Sequence, residues 1–78
     1  MMTKAIIWSN VGCHFCDMAK TLLTKEGIEY EERNIAKDWK VEQLLEAVPN
    51  ARTVPQIFVD NKYIGYYDNL VEYFNQNH

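Results

Sequence analysis

Apolar residues recur along this chain with a period that changes several times, and each change marks an element boundary. Ala5-Ile6-Ile7-Trp8 follow Lys4 as an unbroken apolar run, short enough for a strand buried on both faces, so Lys4–Trp8 is predicted as the first strand. Beyond Gly12 the period becomes helical. Phe15, Ala19, Leu22 and Leu23 recur at i, i+4, i+7 and i+8, which predicts a helix with those four on its inner face, ended by Gly27. Ile28–Ile35 alternates, with Ile28 and Tyr30 against Glu29 and Glu31, as a second strand whose end is blurred by Asn34. Trp39–Val48 returns to helical spacing through Val41, Leu44, Leu45 and Val48 and stops before Pro49. Gln56–Asp60 and Tyr63–Gly65 read as two short strands around Asp60-Asn61-Lys62, a hairpin-turn composition. A last helix, capped by Asp68 or Asn69, turns Leu70, Val71, Tyr73 and Phe74 inward, and Asn69 with Glu72 has the spacing of a capping box.

The resulting order, β-α-β-α-β-β-α, starts with two parallel strands joined by a right-handed crossover and adds an antiparallel hairpin. The expected fold class is α/β, a mixed four-stranded sheet covered by three helices. No repeat, low-complexity segment or linker interrupts it, so residues 1–78 are expected to be a single domain.

Composition narrows the function classes. With 47% hydrophobic residues a core is attainable without a covalent or metal staple, even near the lower size limit of autonomous domains. No apolar run reaches the length of a membrane span. The apolar part of the first eight residues is too short for a signal peptide and lacks a small-residue cleavage site, so a cytoplasmic location is expected. Net charge is −3. Lys4, Lys20 and Lys25 against Asp17 make the first 25 residues mildly positive, whereas seven acids crowd residues 26–46. No basic stripe suits a nucleic-acid backbone, and the acidic middle reads as a solvated helix face.

The chain has two cysteines, Cys13 and Cys16, placed where the first strand hands over to the first helix. A bridge closing so short a loop restricts the unfolded chain little. A structural zinc wants four ligands, and the only others of the right type are two histidines, His14 and His78. No metal site is therefore expected. A redox pair fits better: residues i and i+3 on a helical turn close into a disulfide with small movement, and the helix start offers unpaired N–H groups that favour a thiolate. In this reading Cys13, at the tip, is the nucleophile and Cys16, one turn in, the resolving thiol.

A second feature is Thr53-Val54-Pro55, a proline opening the third strand. With Cys13-His14-Phe15-Cys16 and Ile64-Gly65-Tyr66-Tyr67-Asp68-Asn69-Leu70, it makes the chain resemble the glutaredoxin family, of the thioredoxin fold, from Lys4 to Phe74. The resemblance implies a cis bond before Pro55, with Thr53, Val54 and Pro55 facing the cysteines and the Val54 backbone pairing with the cysteinyl part of glutathione. It implies that Gly65, Tyr67 and Asp68 form the γ-glutamyl site, where helix-terminal N–H groups receive a carboxylate and Asp68 meets the amino group.

Three departures from the family pattern stand out. His14-Phe15 replaces Pro-Tyr between the cysteines, and a cationic His14 would favour the Cys13 thiolate. Asn10 stands where a basic residue often meets a glutathione carboxylate, with Arg52 available to supply that cation. Tyr66 replaces the second glycine of a Gly-Gly pair and narrows the site or stacks on a substrate. The implied activity is thiol–disulfide exchange with glutathione as co-substrate and no bound cofactor. The implied partners are glutathione and disulfide or glutathionylated proteins, ribonucleotide reductase among them, with glutathione reductase acting indirectly through glutathione; the expected state is a monomer. Two other readings stay open: a redoxin recharged by thioredoxin reductase, and an iron–sulfur carrier with a cluster shared between two chains.

Overall fold

The computed structural model describes residues 3–76. Its elements follow the expected order: β1 (Lys4–Ser9), α1 (His14–Lys25), β2 (Glu29–Asn34), α2 (Val41–Ala47), β3 (Gln56–Val59), β4 (Lys62–Gly65) and α3 (Tyr67–Gln76). The sheet runs β2-β1-β3-β4. β1 lies parallel to β2, with Ala5 opposite Tyr30, and antiparallel to β3, with Ile7 opposite Ile57. This is the thioredoxin/glutaredoxin architecture, a mixed four-stranded sheet with three helices.

Central β1 carries apolar side chains on both faces, which is why it reads as an unbroken run. Ala5 and Ile7 point to one face, where Ala19 and Leu23 of α1, Ile57 and Val59 of β3 and Leu70 of α3 close over them. Trp8 points to the other, against Leu44 and Val48, with Ile6, Trp39 and Phe58 around it. Leu23, Ile7, Ile57 and Leu70 are fully buried, and each such side chain contributes about 1.5–3 kcal/mol relative to exposure. On the α2 face the Arg33 guanidinium lies 4.3 Å from the Trp39 ring centre and 5.1 Å from that of Trp8, while its Nε donates to Glu31 at 2.7 Å.

Four expectations needed correction. The acidic middle is not a solvated helix face, since Glu29, Glu31 and Glu32 lie on β2. Helical spacing puts Phe15 on the inner face of α1, yet it is 52% exposed and Cys16 is buried in its stead; Phe15 faces Tyr67 of α3 and not the core. In α2 only Leu44 is buried, joined by Val48 at the helix C-cap, and Val41 and Leu45 stay exposed, because this short helix touches the sheet along a narrow line. The last helix starts at Tyr67, before either proposed cap. Leu70 N–H bonds to the Tyr66 carbonyl, which makes Tyr66 the N-cap. Asn69 takes the third helical position and accepts the Tyr66 N–H at 2.9 Å, the reach-back half of a capping box.

The β3–β4 turn has Asp60 and Asn61 at φ 51° and 67°, the two left-handed residues that a tight hairpin demands. Further along, Ile57 pairs with Gly65 and Phe58 with Tyr63, so Ile64 is an extra residue in β4. Such bulges bend a strand, and this one precedes the turn into α3. Among the described residues no helix is long and apolar enough to cross a membrane.

A polar clamp holds α1 to the parallel pair. The fully buried Ser9 hydroxyl donates to Glu32 at 2.7 Å, and Lys20 Nζ donates to the same oxygen at 3.0 Å. The Ser9 hydrogen bond, more than the Lys20 charge and against partial burial, holds the Glu32 carboxyl below its ordinary value of 4.5. A carboxylate with a lowered folded pKa contributes stability above its unfolded pKa and loses it as pH falls through the folded one. Glu32→Gln is therefore expected to be less stable than wild type in urea at pH 7, with the gap closing as the pH is taken below 4.5. A gap of constant size down to pH ~3, well below the ordinary carboxylate range, would refute the clamp.

Candidate active site

Four residues separate β1 from α1, and Gly12 turns this connection at φ 71°. Cys13 follows in extended backbone (φ −94°, ψ 101°) as the N-cap of α1. The side-chain acceptor that a helix start needs is usually an oxygen; here it is sulfur, with the Cys16 N–H donating to Cys13 Sγ at 3.1 Å. The two cysteines form a disulfide with Cα atoms 5.2 Å apart. Cys13 is half-buried, while Cys16 is 1% exposed. An approaching group thus meets Cys13 first.

The bond between Val54 and Pro55 is cis, and the Val54 carbonyl oxygen lies 3.8 Å from Cys13 Sγ. Beside it opens a cleft of about 230 Å³ lined by Phe15, Thr53, Val54, Pro55, Tyr66, Tyr67 and Asp68. Phe15 and Tyr67 meet across it with ring centres 6.0 Å apart. Tyr66, at 40% exposure, forms part of the rim. The first turn of α3 opens here, and the N–H groups of Tyr67, Asp68 and Asn69 have no partner within the helix. Gly65 lies buried below that turn. Asn10 and Arg52 stand apart in an adjoining groove of about 300 Å³, which shares Thr53 and Val54 with the cleft. His14 lies outside both linings, its ring 5.7 Å from that of Phe15. Among the described residues no group of three or more His, Cys, Asp or Glu could hold a metal ion.

Sequence reasoning missed Gln56 and Tyr63. Gln56 is fully buried, donates to the Thr53 carbonyl at 2.8 Å and accepts the Tyr63 hydroxyl at 2.6 Å. The available signal was a polar residue directly after Pro55, opening an otherwise apolar strand.

The glutaredoxin profile matches residues 2–64. The chain belongs to the glutaredoxin family. Glutaredoxin 1 of Rickettsia bellii is 39% identical over 71 residues, covering 86% of this chain and 72% of its own. The hybrid peroxiredoxin hyPrx5 of Haemophilus influenzae is 40% identical over 68 residues, 87% of this chain but 28% of that protein. Among solved structures, glutaredoxin 1 from Francisella tularensis complexed with cacodylate superimposes with a TM-score of 0.80 at 24% identity, covering 96% of this chain and 95% of its own. The buckwheat glutaredoxin–glutathione complex gives 0.79 at 25% identity, covering 96% and 71%. Membership in this family, together with the Cys13–Cys16 pair, supports thiol–disulfide oxidoreductase activity.

The α3 end of this glutaredoxin's cleft depends on Gly65. Its φ is 121°, and a Cβ there would fall 2.5 Å from Asn69 Oδ1. Gly65→Ala is expected to cost more than about 1 kcal/mol, read as a lower urea midpoint. Unchanged stability would mean that the bulge and cap rearrange freely.

Proposed function

We propose that this protein is a dithiol glutaredoxin that reduces protein disulfides and glutathionylated proteins at the expense of glutathione. The observation that carries this reading is the shape of the cleft beside Cys13: Val54 backbone on one side, the open first turn of α3 with Asp68 on the other. A tripeptide laid across it pairs its cysteinyl unit with Val54 and its γ-glutamyl carboxylate with the α3 N–H groups. Its amino group meets Asp68. Arg52, in the adjoining groove, is suited to the glycyl carboxylate, the role Asn10 cannot fill with charge. That the buckwheat glutaredoxin was solved as a glutathione complex supports glutathione as the ligand.

Reduced Cys13 keeps the Cys16 N–H and the helix start beside its sulfur, both of which favour the thiolate. That thiolate attacks one sulfur of a substrate disulfide; a new S–S bond forms, the old one breaks, and the departing thiolate takes a proton. With a protein disulfide, Cys16 loses its proton and attacks the Cys13 sulfur, releasing the second substrate thiol and leaving Cys13–Cys16 oxidised. Two glutathione molecules then restore the dithiol and leave as glutathione disulfide. With a glutathionylated protein, Cys13 takes the glutathionyl group alone and a second glutathione removes it. His14 and Phe15 tune this exchange, and Tyr66 narrows the substrate entry. The proposed setting is a monomeric 78-residue domain in the cytosol, with ribonucleotide reductase among its disulfide substrates.

A peroxiredoxin is a second candidate partner, favoured by the 40% identity to part of a hybrid peroxiredoxin.

The deciding assay follows NADPH oxidation with hydroxyethyl disulfide, in one arm with glutathione and glutathione reductase and in the other with thioredoxin reductase alone. Turnover is expected in the glutathione arm; turnover only in the other would overturn the reading. Cys13→Ser is expected to abolish activity, and Cys16→Ser to keep deglutathionylation while losing protein-disulfide reduction. Arg52→Ala removes one charge-assisted contact, worth about 1.5–3 kcal/mol, and is expected to raise the KM for a glutathionylated substrate at least tenfold.

A further inference from the structure

We infer that Gln56 is a positioning residue, oriented by Tyr63, that aims the Val54 N–H into the cleft; this rests on the glutathione reading of that cleft. The Thr53 carbonyl is held by Gln56 Nε2 at 2.8 Å, and Gln56 is fully buried at the start of β3. Among the described residues only the Val54–Pro55 bond is cis, so the Thr53–Val54 peptide is trans. In a trans peptide the C=O and N–H lie in one plane and point in opposite directions. Drawing the Thr53 oxygen inward to Gln56 therefore turns the Val54 N–H outward. That N–H has no acceptor among the described residues, as expected of a donor kept for a ligand.

Tyr63 completes the relay from the neighbouring strand. Its hydroxyl donates to Gln56 Oε1 at 2.6 Å, satisfying the amide end that would otherwise be buried unpaired. This leaves Nε2 facing Thr53. The Phe58 ring, 5.4 Å from that of Tyr63, supports it from β3. Neither Gln56 nor Tyr63 lines the cleft. Their effect passes through the orientation of one peptide plane, so it belongs to substrate binding and not to thiolate chemistry.

The test uses Gln56→Met, which keeps shape and removes both hydrogen bonds, and Tyr63→Phe. Steady-state kinetics with a glutathionylated peptide would be read beside the ultraviolet titration of the Cys13 thiolate and the amide resonance of Val54. Gln56→Met is expected to raise KM about fivefold, the worth of one ordinary hydrogen bond. Its kcat and thiolate titration should hold, and the Val54 amide signal should shift. Tyr63→Phe should move KM and the Val54 signal the same way by less. An unchanged KM in Gln56→Met, or a raised KM with an unmoved Val54 amide, would overturn the proposal while leaving the glutathione reading intact. If wild type fails to use glutathione, that reading falls, and the Val54 amide decides alone: an unmoved signal and exchange rate overturn the positioning role, a displaced one supports it. Should Gln56→Met not fold, Tyr63→Phe carries the same readouts.

Discussion

A helix start has more N–H groups than it can satisfy, and in this protein one of them, on Cys16, is satisfied by the sulfur of Cys13. The site is organised around that contact. It requires an abrupt change from strand to helix, which Gly12 allows at φ 71°, and a central strand that ends rigidly just before it. β1 provides this because it is hydrogen-bonded on both sides and buried on both faces. The Ser9–Glu32–Lys20 clamp ties the last residue of β1 to β2 and α1. Cys13 is thereby presented, half-buried, at a fixed point, with Cys16 sheltered one turn behind.

The opposite wall of the site depends on local backbone geometry of another kind. The Val54 carbonyl, next to the cis bond before Pro55, lies 3.8 Å from the Cys13 sulfur, and Gln56 holds the preceding carbonyl from below. The bulge at Ile64, Gly65 at φ 121° and the Asn69 reach-back to Tyr66 turn β4 into α3 over a few residues. These features bring Asp68 to the same cleft as Thr53 and Pro55. Phe15 and Tyr66 are exposed here because they form the walls of an opening.

Period and punctuation made most of the architecture legible. The unbroken run at Ala5–Trp8 announced a doubly covered strand, and Asp60-Asn61 announced the hairpin, since few residues accept consecutive left-handed conformations. The inward faces of α1 and α2 were legible only in part. Helical spacing says which residues share a face, not how far the underlying sheet extends, so it does not distinguish the exposed Phe15, Val41 and Leu45 from their buried neighbours. The start of α3 is ambiguous in sequence for a related reason: Asn69 fits an N-cap and a third-position acceptor equally well, and the strand bulge upstream precedes a helix that starts at Tyr67.

By itself, the sequence determined the order of elements, the location of a redox-suited cysteine pair at a strand-to-helix junction, and the three motifs that mark the family, because these rest on local preferences written within a few residues. Only the tertiary structure decided which residues share the cleft. It joined Phe15, Val54 and Asp68, left His14 outside and set Asn10 with Arg52 in a neighbouring groove. It also gave Gln56 and Tyr63 their bond across two strands. Such contacts depend on strand register and on how the helices seat on the sheet, and these are set by packing over the whole chain.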